Sequence, residues 1–268
     1  MAFYIPKKQE FWQRKPGGPQ EVNWANPLTE GLVSVCYEGN PKTGWHDAIT
    51  GDDYPVTGVL SRIETHDREG IGGNYPNGNA VVKPSINIDE VFLFALADLG
   101  STATYAAGQE ATLIRKNNAW AISFFPNESK LRCLTATSGA TGWTVNVDVA
   151  VPFSENTLHS FAQTYADGDG VGRYLDGKYY GAYDATGLVA ANANLLNIAG
   201  GIGHATLGSP RGGLFLSVIG EKTKSSEEVA ALSEAPYQIL KPRQNYWVMP
   251  TAAPTWMVRL PKAAHYKP

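Results

Sequence analysis

The segment Ser160–Lys178, SFAQTYADGDGVGRYLDGK, is the stretch on which the fold turns. His159 to Tyr165 reads as a strand, and Gly172 to Leu175 as its partner across the turn Asp167-Gly168-Asp169-Gly170. A second tight turn, Asp176-Gly177, leads into Lys178 to Tyr183. Asp and Gly tolerate the left-handed backbone that short hairpin turns require, so two such turns in eleven residues predict a three-stranded antiparallel meander.

The pattern extends in both directions. Thr144 to Val149 sets Val145, Val147 and Val149 against Thr144, Asn146 and Asp148, the alternation of a half-buried strand. Thr112 to Arg115, Trp120 to Phe125 and Lys130 to Ala136 read as consecutive strands joined at Asn117-Asn118 and Pro126-Asn127-Glu128-Ser129. Leu32 to Tyr37, Leu195 to Ala199 and Gly213 to Glu221 are further strands, and Ser85 to Ala97 is a long apolar one. A single helix is expected, opened by Ser225 as N-cap with Glu228 in the capping-box position and stopped before Pro236. Many strands with one late helix predict an all-β fold of two packed antiparallel sheets.

Around this body lie two proline-punctuated arms. Residues 1–22 end in Pro16-Gly17-Gly18-Pro19, and residues 243–268 space Pro250, Pro254, Pro261 and Pro268 among aromatics. Proline at that density excludes regular helix and sheet interior. The organisation expected is therefore an arm over 1–22, a β-sandwich over 23–242 and an extended arm over 243–268. Trp247, Met249, Trp256, Met257 and Leu260 form the apolar content of the last arm. They either fold back on the sandwich or lie across a neighbouring subunit as docking residues.

Composition narrows the function classes. Of the 268 residues 43% are hydrophobic, enough for a large core, and 28 Gly with 17 Pro suit many turns. The net charge of −3 offers no basic excess toward nucleic acid or an anionic membrane. The first fifteen residues lack the apolar segment of a secretory signal, and no run is long enough for a membrane helix. Cys36 and Cys133 sit in strand-like runs, as buried free thiols or as one disulfide.

Several segments in order resemble one family. Ser160–Lys178, then LNIAGGIG (196–203), GGLFLSVIGEK (212–222) and the helix SSEEVAAL (225–232) resemble laminin-G-like domains of the concanavalin A-like lectin/glucanase kind. NPLTEGLVSVCY (26–37), INIDEVFLFAL (86–96) and ATLIRK–AISFFP–KLRCLTA (111–136) agree upstream. The resemblance covers about residues 23–242 and implies a jelly-roll sandwich. Ser217 departs from it, standing where an Asp is common in the last strand. The framing sequences VNWANPLTEGLV (22–33) and EEVAALSEAPYQILKPR (227–243) resemble such domains in tailed-bacteriophage virion proteins. That implies a virion structural protein assembled in the bacterial cytoplasm, most simply an oligomeric capsid decoration protein docked by its arms on the major capsid protein. The alternative is a carbohydrate-binding adhesin on a tail or capsid fibre.

Glycosidases of this architecture place paired carboxylates about 5 Å apart, at alternate positions of an inner strand. Asp89-Glu90 are adjacent and point to opposite faces, so no catalytic residue is assigned and the chain is expected not to be an enzyme. Asp167-x-Asp169-Gly170 is similar in outline to a calcium loop, but its twelfth residue is Lys178 rather than Glu. Asp167 and Asp169 remain the sole weak metal candidates, for calcium; no other cofactor is expected. Trp45-His46-Asp47 is a polar–aromatic cluster without a nucleophile motif, and Gly200-Gly201-x-Gly203 lacks the strand–helix context of a dinucleotide loop. Trp120, Trp143, Tyr179, Tyr180 and Tyr183 are the aromatics available for a glycan face.

Overall fold

The computed structural model describes residues 20–40, 44–55, 60–65, 68–73, 81–138, 142–200 and 207–243. The arm residues Trp247, Met249, Trp256, Met257 and Leu260 lie outside them. The chain opens with β1 (Gln20–Val22), β2 (Leu32–Asn40), β3 (Gly44–Asp47) and β4 (Asp53–Tyr54). Next come β5 (Leu60–Thr65), β6 (Arg68–Gly73), β7 (Val81–Lys83) and β8 (Val91–Asp98). The meander β9 (Glu110–Lys116), β10 (Trp120–Phe125), β11 (Lys130–Thr135) and β12 (Val145–Ala150) follows. The second meander is β13 (Leu158–Ala166), β14 (Gly170–Leu175) and β15 (Lys178–Tyr183). The chain then passes through β16 (Leu196–Ile198), β17 (Leu207–Gly208), β18 (Gly213–Gly220), α1 (Ser226–Glu234) and β19 (Leu240–Pro242).

Among the described residues these strands form two main sheets. One runs β15-β14-β13-β8-β18-β2-β3-β4, with β6 pairing β18 and β5 beyond it. The other runs β12-β11-β10-β9-β16-β7, with β17 parallel to β9. All main-path pairings are antiparallel, as the turn chemistry predicts. The fold is the all-β sandwich expected.

β8 shows why the large sheet needs a third layer. Val91, Leu93, Ala95 and Ala97 enter the core between the sheets, while Phe92, Phe94 and Leu96 enter a second core on the outer face. A strand apolar on both faces must be covered twice. The second cover is α1, through Val229 and Leu232, with Tyr237, Ile239 and Leu240 beyond it and Val22 and Leu28 from the start of the domain. Ser225 Oγ accepts from Glu228 N (3.2 Å) and Glu228 Oε2 accepts from Ser225 N (2.8 Å), the capping box read from the sequence. Across the other edge, β1 pairs with β19 from Gln20↔Pro242 to Val22↔Leu240 and ties both ends of the domain together. β1 thus lies within the arm expected over 1–22.

The long strand expected over Ser85 to Ala97 is shorter than read. Residues 84–90 are irregular, and only Val91–Asp98 is strand. Pro84 has no N–H to donate to a ladder. Lys116 Nζ reaches over to the Ile86 carbonyl at 2.8 Å, which anchors this segment without a ladder.

One charged group bridges the two sheets inside the core. Lys83, on the edge strand β7, extends to Asp47 of β3, and both are almost wholly buried. Lys83 Nζ also donates to Ser34 Oγ at 2.7 Å, lies 3.4 Å from Cys36 Sγ and stands 4.8 Å from the Tyr54 ring centre. Asp47 accepts from Val35 N at 3.2 Å and from Ile49 N at 2.9 Å. Burial alone would raise the Asp47 pKa, but Lys83 and these backbone donors outweigh it and hold the carboxyl below its usual value. Cys36 and Cys133 are both buried free thiols, and burial pushes Cys36 up to about 11 despite Lys83 beside it.

Candidate functional site

The outer face of β13–β15 is only partly covered by α1, and a cleft opens where the helix begins. It has a volume of about 510 Å³. β13 contributes Thr164, β14 contributes Gly172 and Tyr174, and β15 contributes Tyr179. The opposite wall is Thr223, Lys224, Ser225 and Ser226, and Asp169 of the β13–β14 turn closes one end.

Strand register explains this grouping. Tyr174 pairs with Tyr179 across the β14–β15 hairpin, so both rings rise from one face, 5.2 Å apart at their centres and tilted by 46°. Tyr174 is buried and its hydroxyl lies 3.3 Å from Ser226 Oγ, whereas Tyr179 is 46% exposed and presents its ring to solvent. Gly172 keeps the floor open. A Cβ there would stand 2.4 Å from Thr164 Oγ1, so a larger residue fits only if the Thr164 side chain moves, and it would touch the Tyr174 ring at 3.4 Å. The asp-glycine turn beyond is also demanding: Gly170 has φ +75°, and a Cβ would meet the Tyr183 carbonyl oxygen at 2.4 Å.

The charges in the cleft are fixed from outside it. Lys224 donates to the Glu30 carbonyl oxygen at 2.8 Å and lies 3.7 Å from Glu228. Thr223 is held by Glu90, whose Oε2 accepts from Thr223 N at 3.1 Å. The result is a rigid aromatic wall facing hydroxyls, one carboxylate and one ammonium. Such a mixture suits a hydroxyl-bearing ligand with an apolar face.

The residues singled out in the sequence distribute unevenly. Asp169 and Tyr179 come together in the cleft; Trp143, Tyr180 and Tyr183 do not line it. Trp120 is a correction: its indole is fully buried in the core between the sheets and presents no ring to a glycan. Trp143, in the loop before β12, is half-buried with the Arg115 guanidinium 5.2 Å from its ring. Tyr180 packs against the core with Lys178 over its ring, and Tyr183 is 49% exposed on the edge strand. Asp167 accepts from Gly187 N at 2.7 Å and so braces two loops. Among the described residues no three His, Cys, Asp or Glu side chains gather to hold a metal. Trp45 and Asp47 point into the core while His46 turns out to Asp53 at 2.8 Å, which splits that cluster across two faces of β3. Asp89 is exposed, and Glu90 is the brace on Thr223 already described.

Sequence reasoning missed Thr164, Gly172, Tyr174 and the helix-start residues of the cleft. The register of the Asp176-Gly177 hairpin was the available signal, since it sets Tyr174 beside Tyr179.

No protein-family model matches the chain. No curated protein matches it in sequence. Solved structures do. A Trypanosoma rangeli sialidase in complex with sialic acid is similar with a TM-score of 0.57 and 16% identity, over 78% of this chain and 33% of the sialidase. The binding domain of Paraclostridial Mosquitocidal Protein 1 has a TM-score of 0.56 and 13% identity, over 77% of this chain and 52% of that one. The receptor-binding domain of botulinum neurotoxin type G has a TM-score of 0.53 and 11% identity, over 76% and 51%. The chain thus spans about a third of the sialidase's length and about half that of the toxin domains.

At these identities the likeness carries the fold. It also overturns the expectation that the chain is not an enzyme, because solved enzymes, the sialidases, share that fold with binding domains. Paired carboxylates mark ordinary glycosidases, whereas sialidases as a class use a tyrosine nucleophile. The adjacency of Asp89 and Glu90 therefore says nothing about that chemistry. The virion assignment gains no support from these likenesses.

Proposed function

We propose that this chain is a carbohydrate-binding adhesin module that engages a surface glycan through the cleft between Tyr179 and the start of α1. One observation carries the reading: a half-exposed tyrosine ring stands over a floor kept open by Gly172, opposite fixed hydroxyls and Asp169. A sugar ring presents C–H groups on one side and hydroxyls around its rim. Tyr179 meets the first, while Thr164, Ser226 and Asp169 meet the second. Buried walls held by the capping box and by Glu90 hold these groups ready before the ligand arrives, which lowers the ordering cost of binding. Among similar folds are a mosquitocidal-protein binding domain and a neurotoxin receptor-binding domain, and this supports recognition over capsid decoration. The setting we propose is the surface of a tailed-phage virion, on the resemblance of residues 22–33 and 227–243 alone.

A glycan array followed by titration calorimetry tests the reading. The protein is expected to bind a defined set of glycans, and Tyr179→Ala to weaken that binding at least about tenfold, a 1.4 kcal/mol loss, with an unchanged circular dichroism spectrum. Absence of binding across the array, or unchanged affinity in Tyr179→Ala, overturns it.

A further inference from the structure

The outer face of β13 continues past α1 into a second depression of about 330 Å³, where the last turn of the helix meets the β14–β15 turn. Its polar lining is Ser160, Asp176, Ser233 and Glu234, and its apolar walls include Leu158 and Pro236. Among the described residues no lysine, arginine or histidine lines it.

Two hydroxyls in this wall are unsatisfied. Ser160 is only 4% exposed, and neither its Oγ nor that of Ser233 has a hydrogen-bond partner. A buried hydroxyl without a partner costs stability, and alanine in its place is neutral or better for the fold. Packing therefore gives no reason for serine at position 160.

Asp176 is held in place from behind. Its Oδ1 accepts from Ser160 N at 2.9 Å, and its Oδ2 lies 2.7 Å from His159 Nδ1. The other ring nitrogen, Nε2, faces the Ser154 carbonyl oxygen at 3.0 Å. With both nitrogens engaged, His159 cannot take a proton from Ser160, so the trio is no nucleophile–base arrangement. It is a rigid mount for a carboxylate at the mouth of the pocket.

The pocket thus offers two hydroxyl oxygens, the outer side of a carboxylate that His159 holds from behind, and the negative end of a helix. The group that answers this is a donor-only cation. An ammonium carries three N–H donors and no acceptor. We propose that this pocket binds a small primary ammonium group, which donates to the Ser160 and Ser233 hydroxyl oxygens and is balanced by Asp176, its carbon skeleton lying on Leu158 and Pro236. An amino sugar and a lysine-like alkylammonium share this chemistry. The proposal does not depend on the cleft at the other end of α1.

The test titrates the full chain with n-butylammonium, D-glucosamine and N-acetyl-D-glucosamine, reading the methyl resonance of Ala230, which lines the pocket. At least one ammonium probe is expected to bind and the N-acetyl sugar not to. Butylammonium alone identifies an alkylammonium site, and glucosamine alone an amino-sugar site. Ser160→Ala and Ser233→Ala are each expected to weaken binding about tenfold while the melting temperature holds or rises. Tyr179→Ala, in the other cleft, should leave it unchanged. Equal binding of the N-acetyl sugar, no binding of either amine, or amine binding indifferent to both serine variants overturns the proposal.

Discussion

Replacing Lys83 by Met removes the cation paired with Asp47 inside the sandwich. Both side chains are essentially sealed, at 2% and 0% exposure, so water cannot take over the lost partner. Breaking a buried pair from one side costs about 3–5 kcal/mol, because a charge is left unpaired in low dielectric. Asp47 keeps the N–H donors of Val35 and Ile49 and, at 2.9 Å, the Ser34 hydroxyl, so the loss should fall at the lower end, about 3 kcal/mol. Urea unfolding followed by tryptophan fluorescence measures it as a drop in midpoint of at least about 1 M. Lys83→Met combined with Asp47→Asn should recover most of the loss, since asparagine still accepts from both backbone donors and carries no charge. The pH dependence has a definite sign. Asp47 has a depressed pKa in the folded protein, so its stabilisation is present above the unfolded value of about 3.9 and is lost as pH falls through the folded value. The gap between the native protein and Lys83→Met must therefore narrow on acidification. A variant within about 0.5 kcal/mol of native, the range of neutral surface changes, or a double variant no better than the single one, refutes the reasoning.

Two further outcomes are expected. Ser225→Ala removes one half of the capping box and should lower stability by about 1 kcal/mol, read from urea unfolding; an unchanged midpoint would mean the helix start is held by Lys224 and Thr223 instead. For His159, burial lowers the pKa but Asp176, the Ser154 carbonyl and Asp98 outweigh it and raise it, so its stabilisation is full below the unfolded value of about 6.5 and fades as pH climbs through the raised folded value. The stability difference between native protein and His159→Asn should shrink on going from mildly acidic to mildly alkaline buffer, and a flat difference would contradict this.

Where turn chemistry was strong, sequence and structure agree closely. Asp176-Gly177 places the end of β14 and the whole of β15 to the residue, although β14 begins at Gly170, two residues before the expected Gly172; Trp120–Phe125 is a strand from end to end, and Ser225 caps α1 through Glu228. The stretch from Gly44 to Lys83 was not legible as strands, because β3 and β4 are short and their ladder follows from pairing to β2 rather than from local alternation. Burial on the outer face of the large sheet was hidden for a similar reason. Nothing local in VFLFALAD says that α1, about 130 residues later, will cover Phe92 and Phe94. The same holds for the site. Tyr179 and Asp169 stood out by residue type, but Thr223, Lys224 and Ser226 reach the cleft only through long-range packing. A large aromatic on a strand of a two-sheet fold has two faces to choose from and composition does not say which; Trp120 takes the core.

The β1–β19 pair has a mechanical consequence. Its first rung is Gln20↔Pro242, the point from which the chain departs in both directions, so tension applied through the two flanking arms meets that rung before any other. The strands are antiparallel and loaded at the same end. Force therefore peels them apart one rung at a time, as a zipper opens, instead of shearing all rungs together. The rungs between residues 20–22 and 240–242 open before any rung of the two large sheets, and opening them withdraws Val22 and Leu240 from the second core. A domain pulled through both flanking segments would lengthen by that short tether first, and the clefts beside α1 would feel the force only afterwards.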